Sequence, residues 1–124
     1  MTIPVAPKID LAALLVRAGN DDDLMREVIG DFLAGSHELV TSVVTAAAAG
    51  DHGAAAAHAH RIRGALLALS AGPAALAAGE VEQLAANVGT ATADASAERL
   101  AAAVRVFVEV VASVSLEMRR FLEG

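Results

Sequence analysis

The sequence predicts an all-α protein, an antiparallel four-helix bundle with a short N-terminal capping helix. Capping residues and glycines divide the 124-residue chain into five helical segments. Apolar residues recur in steps of three and four in the four longer segments, as in the seam of a bundle. The connections between these segments are short, which favours antiparallel neighbours. The length fits a single domain spanning residues 1–124.

The first two predicted helices are delimited by capping residues. Asp10 is suited to cap a short helix over residues 11–18, and Gly19 to end it in the left-handed conformation. The segment NDDD then offers Asn20 or Asp21 as the cap of a second helix. The acids that follow lie in its first turn, where the helix dipole favours negative charge.

The second helix is expected to be long and the third to follow it closely. The second runs to about Ala48 and ends at Gly50, and Asp51 caps a third helix that reaches about Leu69. The apolar stripe of the second helix is Met25, Val28, Phe32, Gly35, Leu39 and Val43. The stripe of the third helix is Ala55, Ala59, Ile62, Leu66 and Leu69.

A glycine-proline pair separates the third helix from the fourth. Gly72-Pro73 places proline at the first helical position, and Gly89 closes the fourth helix. Asp94 or Ser96 starts the last helix, which runs almost to the C-terminus. Within it, VRVFVEV alternates like a strand, but the helical seam extends well beyond this window: Leu100, Val104, Phe107, Val111, Val114, Met118 and Phe121. The fourth helix has its own stripe: Ala74, Ala77, Val81, Leu84 and Val88.

The composition excludes several functional classes. The chain has no cysteine, which excludes disulfides and thiolate metal sites. Its net charge of −6 leaves no basic footprint for a nucleic acid. The longest charge-free stretch, residues 64–79, contains Gly72-Pro73 and falls short of the roughly 20 apolar residues of a membrane span. The N-terminus lacks the basic start and apolar run of a signal peptide. We therefore expect a cytoplasmic protein.

Residues 57–64, AHAHRIRG, place two histidines among small side chains on the third helix. At about 100° per residue, His60 lies roughly 140° from the centre of the apolar stripe and is predicted to face solvent. His58 lies roughly 60° from that centre, at the edge of the stripe. The two rings point about 200° apart, so they cannot chelate one metal ion, and no metal site is predicted.

The surface around His60 is expected to be flat and open to a partner. The residues on this face are small or apolar: Gly53, Ala56, Ala57, Gly64 and Leu67. Gly64 costs about 1 kcal/mol relative to alanine inside a helix, which suggests that something approaches closely there. Arg63 adds a cation one turn from His60, whereas Arg61 is assigned to ordinary surface. A polar stripe on the second helix is interpreted as a solvated face: Glu38, Thr41, Ser42 and Thr45.

The segment AHRIRG resembles the A-H-x-L-K-G signature of histidine-containing phosphotransfer (HPt) domains. Five residues match in order, with Ile for Leu and Arg for Lys: Ala59, His60, Ile62, Arg63 and Gly64. Flanking matches lie at the family's spacings: Phe32, Gly50-Asp51 and Val81-Glu82. Ser70-Ala71 stands where Gly-Ala is usual, and Ala74 where leucine is usual. The resemblance covers roughly residues 20–85.

This resemblance implies a phosphocarrier rather than a stand-alone catalyst. His60 would accept a phosphoryl group from a receiver-domain aspartate and pass it to another receiver. Arg63 would contact the phosphate and Gly64 would leave room for it, while Ala56, Ala57 and Leu67 would contribute to docking. The receiver would bring Mg²⁺, so no cofactor is expected in this chain. The implied partners are receiver domains of a hybrid histidine kinase or a response regulator, and the chain is expected to be a monomer.

Two other functions stay open from the sequence. One is the dimerisation and phosphoacceptor helix pair of a sensor kinase, in which an acidic residue follows the histidine. Arg61 stands at that position here, and the chain has no glycine-rich nucleotide motif. The other is a non-catalytic helical adaptor that keeps the bundle but never carries phosphate. Phosphoryl exchange with a receiver separates the adaptor from the phosphocarrier, and a size measurement tests the dimer.

Overall fold

The computed structural model describes residues 8–88 and 93–124, with the side chains of the second range given from Ser96 onward. The described chain contains five α-helices and no strand: α1 Leu11–Arg17, α2 Asp22–Ala48, α3 His52–Ala68, α4 Gly72–Ala86 and α5 Ala93–Glu123. The predicted all-α class is therefore confirmed. The alternating segment VRVFVEV lies inside α5, as its extended seam predicts.

Three aspartates cap the helices as predicted. Asp10, Asp21 and Asp51 each accept a hydrogen bond from the backbone N–H three residues later, at distances of 2.9, 3.1 and 3.1 Å. Each bond satisfies one of the backbone donors that a helix start leaves unpaired. Of the two candidates before α2, Asp21 is the cap. Gly19 and Gly50 have positive φ angles of 68° and 74°, which matches their predicted role as helix terminators.

Several helix boundaries differ from the predicted ones by one or two residues. Helix α1 ends at Arg17, with Ala18 as its C-cap. Helix α4 already includes Gly72, so Pro73 occupies its second position rather than its first, where φ is equally favourable for proline. The fourth helix ends at Ala86, and the predicted terminator Gly89 lies outside the described residues. The last helix includes Ala93, one residue before the predicted start at Asp94.

The apolar core lies between the four long helices. Helix α3 packs against α2 and α4, and α5 packs against the same two helices, while α1 contacts α2. All five stripe residues of α3 are buried, as are those of α5 except the half-buried Phe121. In the predicted stripe of α2, Met25, Phe32 and Val43 are buried, but Val28 is exposed and its neighbour Ile29 is completely buried. Both positions suit a period of 3.6, and the packing of α3 and α5 selects Ile29.

Helix α1 is attached to the C-terminal end of α3. The Asp10 N–H donates to the Ser70 carbonyl at 3.0 Å, and Arg17 Nη1 donates to the Leu67 carbonyl at 2.9 Å. These bonds satisfy carbonyl groups near the end of α3 that have no partner within their own helix. Among the described residues, no helix is both long enough and apolar enough to cross a bilayer.

Candidate functional site

The candidate site centres on the imidazole of His60, which projects from the outer face of α3. Its side chain is 73% exposed, as the angle of His60 from the apolar stripe predicts. The Nδ1 atom lies 2.9 and 3.0 Å from the two carboxylate oxygens of Glu82 on α4. The imidazole is therefore held at one nitrogen by the neighbouring helix and open to solvent at the other.

Glu82 determines which nitrogen of His60 is nucleophilic. A carboxylate only accepts hydrogen bonds, so the Nδ1–H group is the donor. In the neutral ring the lone pair then lies on Nε2, the nitrogen that has no partner among the described residues. Glu82 is itself only 21% exposed, so its carboxylate is partly shielded from water. The arrangement presents a single, oriented nucleophile.

Nothing in the sequence assigns this role to Glu82, which is only a flanking match to the family pattern. The two residues are 22 positions apart, on different helices, so no local spacing links them. One signal was available in the family pattern. An acidic residue at a fixed position in the helix that follows the histidine helix is a candidate partner for the imidazole.

Arg63 lies on the side of α3 that faces α4, the helix that carries Glu82. Its side chain lies beside Gly79 of α4: a Cβ added to Gly79 would lie 3.3 Å from the Arg63 Nε atom and 3.4 Å from Cδ. Arg63 is exposed and has no hydrogen bond or ion pair with any side chain or backbone group of the described residues. The guanidinium is therefore available to an anion near His60.

A groove of about 690 Å³ runs between α3 and α4 beside this cluster. Arg63, Glu82 and Leu67 line it, together with Leu76 of α4. Leu67 is 46% exposed and Leu76 is 77% exposed, so the groove carries apolar surface on both helices. Leu76 is absent from the sequence prediction because it lies outside every apolar stripe.

The other predicted site residues are distributed around His60 on α3. Gly64 and Ala57 are exposed and lie about 40° and 60° from His60 on the flank away from Arg63. A Cβ added to Gly64 would meet no heavy atom within 4 Å outside its own stretch of helix. Ala56 is half-buried and packs against the core, so it offers less surface than predicted.

The remaining candidates stand apart from the cluster. His58 is half-buried at the edge of the α3 stripe, and Arg61 is exposed on the opposite flank from Arg63. In the predicted polar stripe on α2, the Ser42 hydroxyl donates to the carbonyl of Glu38 at 2.9 Å. The described residues contain no group of three or more histidine, aspartate or glutamate side chains placed to hold a metal ion.

Comparison with known families identifies the family of this chain. The family model of the HPt domain matches residues 27–118, a span that contains His60, Arg63, Gly64 and Glu82. Comparisons with curated proteins and with solved structures gave no match. The family match covers well over half of the chain and agrees with the resemblance found in the sequence. The chain therefore belongs to the HPt domain family, the histidine phosphotransfer modules of phosphorelays.

Proposed function

We propose that this chain is a phosphorelay intermediate in which His60 carries the phosphoryl group. One receiver domain would donate the group from its aspartyl phosphate, and a second receiver would take it from His60. The observation that supports this most is the exposed imidazole whose Nδ1–H group donates to Glu82. A protein with this role is a phosphocarrier and needs no substrate pocket of its own.

The proposed transfer begins with attack of the His60 Nε2 lone pair on the phosphorus atom. The N–P bond forms while the bond between phosphorus and the aspartyl oxygen breaks, and the aspartate leaves as a carboxylate. The imidazole, still protonated at Nδ1, becomes cationic as Nε2 gives up its lone pair. The Glu82 carboxylate stabilises this charge through the hydrogen bond that already exists at 2.9 Å. Transfer to the second receiver reverses these steps.

Arg63 and Gly64 would accommodate the phosphoryl group. Arg63 lies one turn from His60 and would form charge-assisted hydrogen bonds with the phosphate oxygens. Gly64 would leave space for the phosphate and for the loops of the receiver. The receiver would supply the aspartate and Mg²⁺, so we propose no cofactor for this chain.

The docking surface would extend from His60 into the groove between α3 and α4. Leu67 was predicted to take part, and Leu76 adds a second exposed leucine to the same groove. Glu82 both holds the imidazole and lines the groove, so a receiver that reaches His60 would cover these leucines. Ala57 would contribute on the opposite flank. The partners would be receiver domains of a hybrid histidine kinase or a response regulator.

The proposed architecture is an antiparallel four-helix bundle of α2 to α5 capped by α1, in a single domain spanning residues 1–124. The connections 49–51 and 69–71 are too short to run back along a whole helix, as a parallel neighbour would require. Their length supports antiparallel packing of α2 with α3 and of α3 with α4. The protein is proposed to act as a monomer in the cytoplasm, where the receiver domains would meet it.

Phosphoryl uptake tests the proposal directly. The chain is incubated with a phosphorylated receiver and Mg²⁺, and an acid-labile label is followed. We expect His60→Gln to abolish labelling and His58→Gln, two residues away, to leave it intact. ATP and Mg²⁺ alone should give no label. Labelling of His60→Gln would refute the assignment, labelling by ATP alone would favour the sensor-kinase fragment, and an unlabelled wild-type chain would favour the adaptor.

A further inference from the structure

Arg63 is a charged side chain of the site that has no polar partner among the described residues, and it lies beside Gly79 of α4. Long arginine side chains on a helix surface normally sample many rotamers. Here Cδ and Nε of Arg63 occupy the space next to Gly79, 3.4 and 3.3 Å from where a Cβ atom of residue 79 would lie. The space for this contact exists because residue 79 has no side chain.

We infer that Gly79 is a positioning residue for phosphoryl transfer, which it would serve by seating Arg63 on the Glu82 side of His60. This inference rests on the proposed function. Gly79 lies three residues before Glu82, so both face the same neighbouring surface of α3. A guanidinium held against Gly79 therefore stays beside the imidazole that Glu82 holds.

The distances determine what a methyl group at position 79 would do. A Cβ atom there would lie 3.3 Å from the Arg63 Nε atom, closer than ordinary van der Waals contact. The backbone of α4 is fixed by helical hydrogen bonds, whereas the arginine side chain is flexible, so Arg63 would yield. It would shift by a few tenths of an ångström from its present place beside α4. No other heavy atom lies close enough for the methyl group to disturb it.

The test compares Gly79→Ala with Gly35→Ala. Gly35 is a matched control in the middle of α2, where an added Cβ meets nothing within 4 Å. Both substitutions improve helix propensity, so both variants should melt at or above the wild-type temperature. We expect Gly79→Ala alone to slow phosphoryl uptake from the receiver by roughly threefold or more, since displacements of about 1 Å at a reacting centre can cost 100-fold.

A double-mutant cycle shows whether the effect passes through Arg63. In an Arg63→Ala background, Gly79→Ala should cause no further loss, because the two changes remove the same interaction. The NMR signal of the Arg63 Nε–Hε group gives a readout independent of activity, and it should shift in Gly79→Ala but not in Gly35→Ala. Equal uptake by Gly79→Ala and wild type, additive losses, or an unchanged Arg63 signal would each overturn the inference. An unphosphorylated wild-type chain would instead refute the proposed function and leave the NMR comparison intact.

Discussion

At the scale of single residues, the reactivity of His60 depends on its partner on the next helix. The sequence predicts that His60 is exposed, because exposure follows from the angle around one helix. It does not predict the hydrogen bond to Glu82, because that contact depends on how α3 and α4 pack. A tertiary contact therefore determines which ring nitrogen carries the proton, whereas a local pattern determines the exposure of the ring.

Replacing the Glu82 carboxylate with an amide should disturb this selection. In Glu82→Gln the side chain can donate to Nδ1 as well as accept from it, so the proton is no longer confined to that nitrogen. The negative charge that stabilises the cationic ring is also lost. We expect uptake from a phosphorylated receiver to slow about tenfold, equivalent to about 1.4 kcal/mol. Glu109→Gln, at an exposed position on α5 outside the groove, is the control. Equal rates in the two variants would contradict this role of Glu82.

A substitution at Gly64 is expected to change stability and phosphoryl transfer in opposite directions. The structure leaves space around it, so Gly64→Gln should create no clash and should raise stability by up to about 1 kcal/mol. The longer side chain would project toward the space that the phosphoryl group and the receiver need, and transfer should slow at least several-fold. Thermal melting and transfer are measured on the same preparation, with Gly30→Gln on α2 as the control for helix propensity. Unchanged transfer would remove the argument for close approach at Gly64.

At the scale of helices, the sequence predicts where a helix starts better than which of its residues face the core. The aspartate caps were predicted because a cap is recognised by residue type and local position. One position in the predicted stripe of α2 is wrong, because Val28 and Ile29 are adjacent and similarly apolar, and only packing distinguishes them. The end of α3 lies within one residue of the predicted Leu69, but the sequence does not mark the left-handed residue that follows it. That residue is Ser70, with a φ angle of 58°, where the family pattern has glycine.

Ser70→Gly should therefore stabilise the protein. Ser70 holds a left-handed backbone that is strained for residues with a side chain, and its buried hydroxyl has no hydrogen-bond partner among the described residues. Glycine removes both costs but gains freedom in the unfolded chain, so we expect a net gain of about 0.5–1 kcal/mol in the free energy of unfolding. Urea denaturation measures it.

Asn20→Gly provides the comparison for this gain. Asn20 has a similar φ angle of 62°, but asparagine tolerates this conformation and the residue is exposed, so the gain should be smaller. A loss of stability in Ser70→Gly would show that the hydroxyl is satisfied, for example by an ordered water.

At the scale of the whole molecule, the site lies at the edge of an open groove. Such a surface suits a protein that binds a second folded domain and would supply a single reactive atom, Nε2 of His60, to the reaction. Of the two exposed leucines in the groove, the sequence predicts only Leu67, which lies near the histidine on the same helix. Leu76 comes from the next helix and is not predicted. Residues brought together by packing have no common local pattern.

Leu76→Ser tests the groove as the docking surface. Leucine burial contributes about 1.5–3 kcal/mol, and partial burial against a receiver should contribute less. We expect the KM for the phosphorylated receiver to rise about tenfold, equivalent to about 1.4 kcal/mol, with kcat and the melting temperature nearly unchanged. Val106→Ser, at an exposed position on α5 outside the groove, should leave KM unaltered. An equal effect of the two substitutions would exclude the groove from docking.

The small size of the core residues has a consequence for how this protein can change over evolution. Five of the six buried residues of α4 are alanines, and α4 makes its most extensive contact with α3. Interaxial distances depend on the side chains at the contact, so alanines let the two helices approach closely. The hydrogen bond from His60 to Glu82 spans this same interface. A larger core residue, acceptable in many bundles, would here separate the imidazole from its carboxylate. The proposed phosphoryl transfer would therefore depend on buried methyl groups that never meet the partner.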